Sequence, residues 1–171
     1  MKIEEKMNKT VELAQQALVE GELPIAAIIY LDEQIISSAY TSEKLHKRFM
    51  VHAELKALLD ADCKLYSIEE RKRMQLFTTL EPCMMCLGAA MTFFVGEIYY
   101  ALEAPMDGAV HFAKKFWSND CSEIPSYTLP RIIGGIQKTE VKGLFREYAL
   151  RNPESPMYFF ALSLAGMQSE V

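Results

Sequence analysis

Ile3, Met7, Val11, Ala14 and Leu18 recur at intervals of three and four, and Gly21 interrupts the series. One apolar stripe at that period predicts an amphipathic first helix. The period then changes. Pro24-Ile25-Ala26-Ala27-Ile28-Ile29-Tyr30-Leu31 is an unbroken apolar run and predicts a strand buried on both faces. Asp32-Glu33 breaks it, and Gln34-Ile35-Ile36-Ser37-Ser38-Ala39-Tyr40 returns as a second strand, so the pair predicts a hairpin. Residues 41–50 are polar and basic (Lys44, His46, Lys47, Arg48) and read as a loop. Helical spacing resumes over residues 51–61, at Ala53, Leu55, Ala57, Leu58 and Leu59. Residues 67–74 predict a short charged helix, 75–79 a third strand, 83–94 a buried helix and 97–101 a fourth strand. Residues 108–117 predict a helix followed by a loop holding Pro125 and Pro130. Residues 131–136 predict a fifth strand and 140–151 a helix, which Asn152-Pro153 breaks. Residues 157–164 form an apolar tail, expected as a last helix.

A helix, a hairpin and then alternating helices and strands predict the α/β class, with a mixed sheet between helices on both faces. Helical connections between the later strands imply crossovers joining parallel strands. Sites in such sheets lie outside the carboxyl ends of strands. Here that place is the start of the helix at Cys83, just after the strand at 75–79.

Composition narrows the partners. The chain has 171 residues, half of them apolar, enough for one domain with a full core. The formal net charge is −5, so nothing draws the whole molecule to nucleic acid, and RNA contact would need a local basic patch. Candidate patches are His46-Lys47-Arg48, Arg71-Lys72-Arg73 and Lys114-Lys115, each better explained as a solvated face. The longest nearly uncharged apolar run, residues 83–95, is too short to span a bilayer. Met1-Lys2-Ile3-Glu4-Glu5-Lys6 has no apolar signal segment, so the expected compartment is the cytoplasm. In a reducing compartment the close pair Cys83 and Cys86 reads as metal-binding or redox-active rather than as a disulfide. Cys63 and Cys121 read as small core or surface thiols.

Both close cysteines fall on the first turn of a helix whose start is marked by Pro82. A helix N-terminus favours thiolate, the form that binds metal. His52-Ala53-Glu54 opens the preceding helix. His52, Cys83 and Cys86 offer one imidazole and two thiolates, a borderline-soft set suited to Zn²⁺. Three ligands leave a fourth position for water, as in catalytic zinc sites. Glu54 stands where general acid/base work needs a carboxylate. On the residues alone plainer readings stay open: buried structural cysteines, a closed zinc site with His46 or His111 as fourth ligand, and Glu54 as a solvated carboxylate at a helix start. Glu103 and Asp107 follow the fourth strand near the expected pocket, as substrate contacts or solvated loop acids.

His52-Ala53-Glu54 with Pro82-Cys83-Met84-Met85-Cys86 resembles the paired signature of the cytidine deaminase-like zinc deaminases, a pattern described generally for that superfamily. Thr79-Leu80-Glu81-Pro82 and Gly21-Glu22-Leu23-Pro24-Ile25-Ala26-Ala27 are similar to segments of its bacterial tRNA adenosine and nucleoside deaminase branch. The resemblance implies a three-layer α/β/α fold on a five-stranded mixed sheet, as a homodimer or larger oligomer. It implies hydrolytic release of ammonia from a heterocyclic amine, with His52, Cys83 and Cys86 on zinc and Glu54 as the proton carrier. It implies pocket walls from Ala53, Glu81 and Pro82. It runs from about residue 7 to 100 and more loosely to about 151; the deaminase domain is expected over residues 1–152, with 153–171 as an apolar extension packed on that domain or on an oligomer partner. Thr41 stands where the branch carries a substrate-holding asparagine, and the segment 102–108 lacks that branch's basic character. These departures favour a small heterocyclic amine over tRNA. Editing of adenosine in tRNA is the alternative with the same chemistry, and a silent zinc-binding module is the alternative without it.

Overall fold

The computed structural model describes residues 1–117 and 127–166. Cys121, Pro125 and residues 167–171 of the expected extension lie outside the described residues. The elements run α1 (Ile3–Val19), β1 (Ala26–Leu31), β2 (Gln34–Tyr40), α2 (Glu43–His46), α3 (Ala53–Asp62), α4 (Ile68–Lys72), β3 (Met74–Leu80), α5 (Met84–Thr92), β4 (Glu97–Leu102), α6 (Val110–Phe116), β5 (Arg131–Ile133), α7 (Lys138–Arg151) and α8 (Tyr158–Ala165).

The strands form one five-stranded sheet in the order β2-β1-β3-β4-β5. β1 is antiparallel to both neighbours, while β3, β4 and β5 are mutually parallel. β2 therefore points the same way as β3, β4 and β5, and the carboxyl ends of all four lie at one edge of the sheet. Side chains alternate between the faces, as strand geometry requires. Ile28, Tyr30, Phe77 and Tyr99 pack toward α1, α7 and α8. Ile29, Leu76, Ile98 and Tyr100 pack toward α3, α5 and α6. On the first face Phe77 stacks on Tyr99 at 4.6 Å and meets the edge of Tyr30 at 5.5 Å, anchoring the middle of the sheet.

Two places differ from the sequence pattern. Residues 41–50 are not all loop, because Glu43–His46 make a single helical turn. The carboxylate of Glu22, itself buried, accepts the free N–H groups of Lys44 and Leu45 at that turn's start. A long-range acceptor thus does what local capping does elsewhere. The fifth strand is three residues rather than the six expected over 131–136. A Cβ on Gly134 would lie 2.1 Å from the Tyr100 ring, and Gly135 has φ +87°. The two glycines take the chain out of the sheet over Tyr100. α8 closes the first face: Ala161, Leu162, Leu164 and Ala165 are buried in the same cluster as Val141, Phe145 and Tyr148 of α7.

Candidate active site

The site lies at the shared carboxyl edge, where α3 and α5 begin. His52 is the residue before α3 and Cys83 the residue before α5; both have extended backbone, so each side chain swings outward from its helix start. Cys86 sits one turn inside α5 and returns to the same spot. His52 Nδ1 lies 3.6 Å from Cys83 Sγ and 3.6 Å from Cys86 Sγ. The three ligand atoms lie within 4.8 Å of one another, and among the described residues no fourth protein ligand joins them. One imidazole nitrogen and two sulfurs at that spacing fit a divalent zinc-like cation with an open position.

Protonation follows from contact. Cys83 is pulled down to about 4, first by the hydrogen bond from the Cys86 thiol and then by His52. The same bond and burial push Cys86 far up, so the two sulfurs share one proton. His52 is raised to about 10, by Cys83 first and Glu43 second. A cation bound here displaces those protons. His52 Nε2 meets Glu43 Oε1 at 3.2 Å. That carboxylate fixes the N–H on Nε2 and turns Nδ1 toward the sulfurs.

Glu54 is 3% exposed, one residue inside the start of α3. Its Oε1 accepts from Thr78 Oγ1 at 2.8 Å, and its Oε2 lies 3.6 Å from Cys86 Sγ. Burial raises its pKa more than the Thr78 bond lowers it, so the carboxyl is poised to hold a proton. A cavity of about 320 Å³ opens in front of this group. Its walls include Leu23, Ile25, Leu80, Met106, Met157 and Phe160, with His52, Glu54 and Cys83 at the back. Such a chamber, apolar with a few convergent polar groups, suits a planar heterocycle.

The other expected contacts separate. Asp107 lines the cavity, its pKa raised by burial and then by the Cys83 charge. Glu81 also lines it, but its two oxygens accept the backbone N–H groups of Ala104 (3.0 Å) and Val110 (2.9 Å). Its carboxylate thereby holds the loop after β4. Pro82 contributes its carbonyl to Ala109 N–H, and Ala53 is fully buried beside the ligands. Glu103 turns away into an ion pair with Lys138 at 2.6 Å. Thr41 is buried, donates to the Val51 carbonyl at 3.0 Å, and lines a neighbouring groove instead. Glu43, Thr78, Met157 and Phe160 carry no motif. They reach the site only through folding, and nothing in their spacing announces it.

The family model described as MafB19-like deaminase matches residues 1–144. A tRNA-specific adenosine deaminase of Bacillus subtilis (strain 168) is 28% identical over 145 residues, covering 82% of this chain and 87% of that relative. A solved chain from studies of A-to-I editing by tRNA:A34 deaminases superposes with a TM-score of 0.67 at 24% identity, covering 81% of this chain and 96% of its own. A guanine deaminase from Nitrosomonas europaea superposes at 0.64 with 19% identity, covering 86% and 84%. These two likenesses are of fold.

Proposed function

The chain belongs to the MafB19-like deaminase family, and on that premise we propose that it is a zinc enzyme releasing ammonia from a nucleobase, nucleoside or related heterocycle. Hydrolytic deamination is the activity of this family; the metal, the residue roles and the small substrate are our reading. The observation that carries it is the meeting of His52 Nδ1, Cys83 Sγ and Cys86 Sγ beside a buried carboxyl.

His52, Cys83 and Cys86 would hold the ion, with Glu43 orienting His52. A bound zinc supplies a water of near-neutral pKa as the nucleophile. Glu54 would accept a proton from the attacking water and pass it to the ring nitrogen. The second proton leaves with the amino group through the same carboxyl, giving a carbonyl and ammonia. Thr78 keeps one oxygen of Glu54 fixed while the other carries protons. The apolar walls exclude bulk water and strengthen each charge interaction.

Glu54→Gln is expected to keep the metal and lower ammonia release by about 10²–10⁴-fold. Elemental analysis and a coupled ammonia assay measure the two. Absence of zinc from the purified protein would end the reading.

Three assignments accompany it. Residues 1–152 form the deaminase domain with 153–171 as its extension, supported by α8 packing against α7. The compartment is the cytoplasm, supported by free thiols at Cys63, Cys83 and Cys86. The assembly is a homodimer, supported by the outer face of α5, a helix without a charged residue whose Met84 is 56% exposed. No helix among the described residues is long and apolar enough to cross a membrane. A second reading, adenosine deamination in tRNA, is supported by the relatives named above; inosine formation in tRNA is its test.

A further inference from the structure

The catalytic cavity has a neighbour. A groove of about 810 Å³ runs between the segment 41–49 and the connection from α7 to α8. Leu23, Glu43 and Met157 line both spaces, so the two adjoin. The smaller chamber is near the low end of ligand pockets, which span roughly 300–1,000 Å³. A bicyclic base seated against Met157 and Phe160 leaves room beside it, and a group attached to that base can extend past Met157 toward the groove.

The groove's charge says what is attached. Of its acids, Glu22 is occupied by the backbone of α2 and Glu43 by His52, which leaves Glu154 as the one carboxylate on the wall formed by residues 152–156. Of its bases, Arg151 pairs with Glu147 and Lys44 reaches the Gly21 carbonyl. Lys47 and Arg48 line the groove as well, and neither side chain has an ion pair or hydrogen bond among the described residues. Phe49 beside them is 89% exposed. Two adjacent unpaired cations at the rim of a channel from a base-sized chamber suit a phosphate group.

We infer that the groove is the subsite for the sugar and phosphate of a mononucleotide, with the base in the catalytic cavity and the phosphate at Lys47 and Arg48. This rests on the deaminase reading above and narrows its substrate. A mononucleotide fits better than an RNA strand. Strand binding draws on many phosphate contacts, whereas here residues 152–156 with Glu154 wall one side, only two of the lining cations are unpaired among the described residues and the net charge is −5. The wall residues 152–157 and Phe160 lie beyond the 1–144 matched by the family model. The selectivity they impose comes from the C-terminal segment.

The test compares adenine, guanine and cytosine, their ribonucleosides, their 5′-monophosphates and a short oligoribonucleotide, on the full chain with its metal. One monophosphate is expected to exceed its nucleoside about tenfold in kcat/KM, through KM, an advantage of about 1.4 kcal/mol. In the double variant Lys47→Ala/Arg48→Ala that ratio is expected to fall to about one. Met157→Trp, which fills the junction, is expected to shift preference from nucleotide toward free base. Calorimetric titration of the monophosphates into Glu54→Gln reads binding without turnover. Tight monophosphate binding there, lost with Lys47 and Arg48, supports the subsite even if the wild type releases no ammonia, which would count against the chemistry alone. Equal use of base, nucleoside and monophosphate overturns the subsite and leaves the chemistry standing. Preference for the oligoribonucleotide overturns the mononucleotide in favour of RNA.

Discussion

Glu54 and Glu43 show how two carboxylates near one histidine acquire different work. Glu54 is sealed in, and burial outweighs the bond from Thr78, so its folded pKa lies above the unfolded value of about 4.3. An acid raised in this way contributes stability in its protonated form. That contribution is complete below the unfolded pKa and disappears as pH rises through the folded one. Metal-free protein is therefore expected to lose stability from about pH 4.3 upward, and Glu54→Gln to flatten that slope; urea unfolding across pH measures both. Glu43 instead holds His52 Nε2. Removing such a partner of a metal-bound histidine typically costs about 10–100-fold in metal affinity. We expect that loss for Glu43→Ala and a smaller one for Glu43→Gln, whose amide oxygen still accepts; chelator competition reads it. The ligand pattern was legible because two motif pieces at helix starts are local signals. Glu43 was not, because its contact depends on a turn of α2 whose first N–H groups are satisfied by Glu22 from outside the segment.

At the scale of elements, periodicity identified most of the architecture. α1, the β1–β2 hairpin, β3, α5 and β4 fall where the spacing places them, because each buries a stripe or a face matching its period. β5 escaped the pattern because Gly134 and Gly135 look like continuation of an apolar run, while the obstacle is the Tyr100 ring from another strand. α8 was visible as an apolar stretch but not as a cavity wall, since Met157 and Phe160 look like any packing residues. Its hold on the molecule is its packing against α7. Leu164 is 3% exposed in the cluster shared with α7, so Leu164→Ala is expected to cost about 2–5 kcal/mol in chemical unfolding.

At the scale of the whole molecule, the site draws ligands from two helices on one face of the sheet, and a bound ion ties them together. An ion bound by the folded chain alone, at a hundred times its Kd, adds about 2.7 kcal/mol. Dialysis against a chelator is expected to lower the Tm measured by calorimetry, with zinc restoring it. The loop after β4 has a less reversible tie. Cys83 pairs as an isolated bridge with Gly108, Pro82 accepts from Ala109, and Glu81 accepts from Ala104 and Val110. A Cβ on Gly108 would stand 2.5 Å from the Glu81 carboxylate. Met106 and Asp107, which face the cavity, thus sit on a loop fastened to the stretch that supplies a metal ligand. Evolution cannot readily retune that loop for a new substrate without disturbing the chemistry. Divergence among relatives should accumulate on the opposite rim, around residues 47–49 and 157–160. A mutagenesis library for altered selectivity belongs there, with Glu81 and Gly108 transferred together whenever the loop after β4 is grafted.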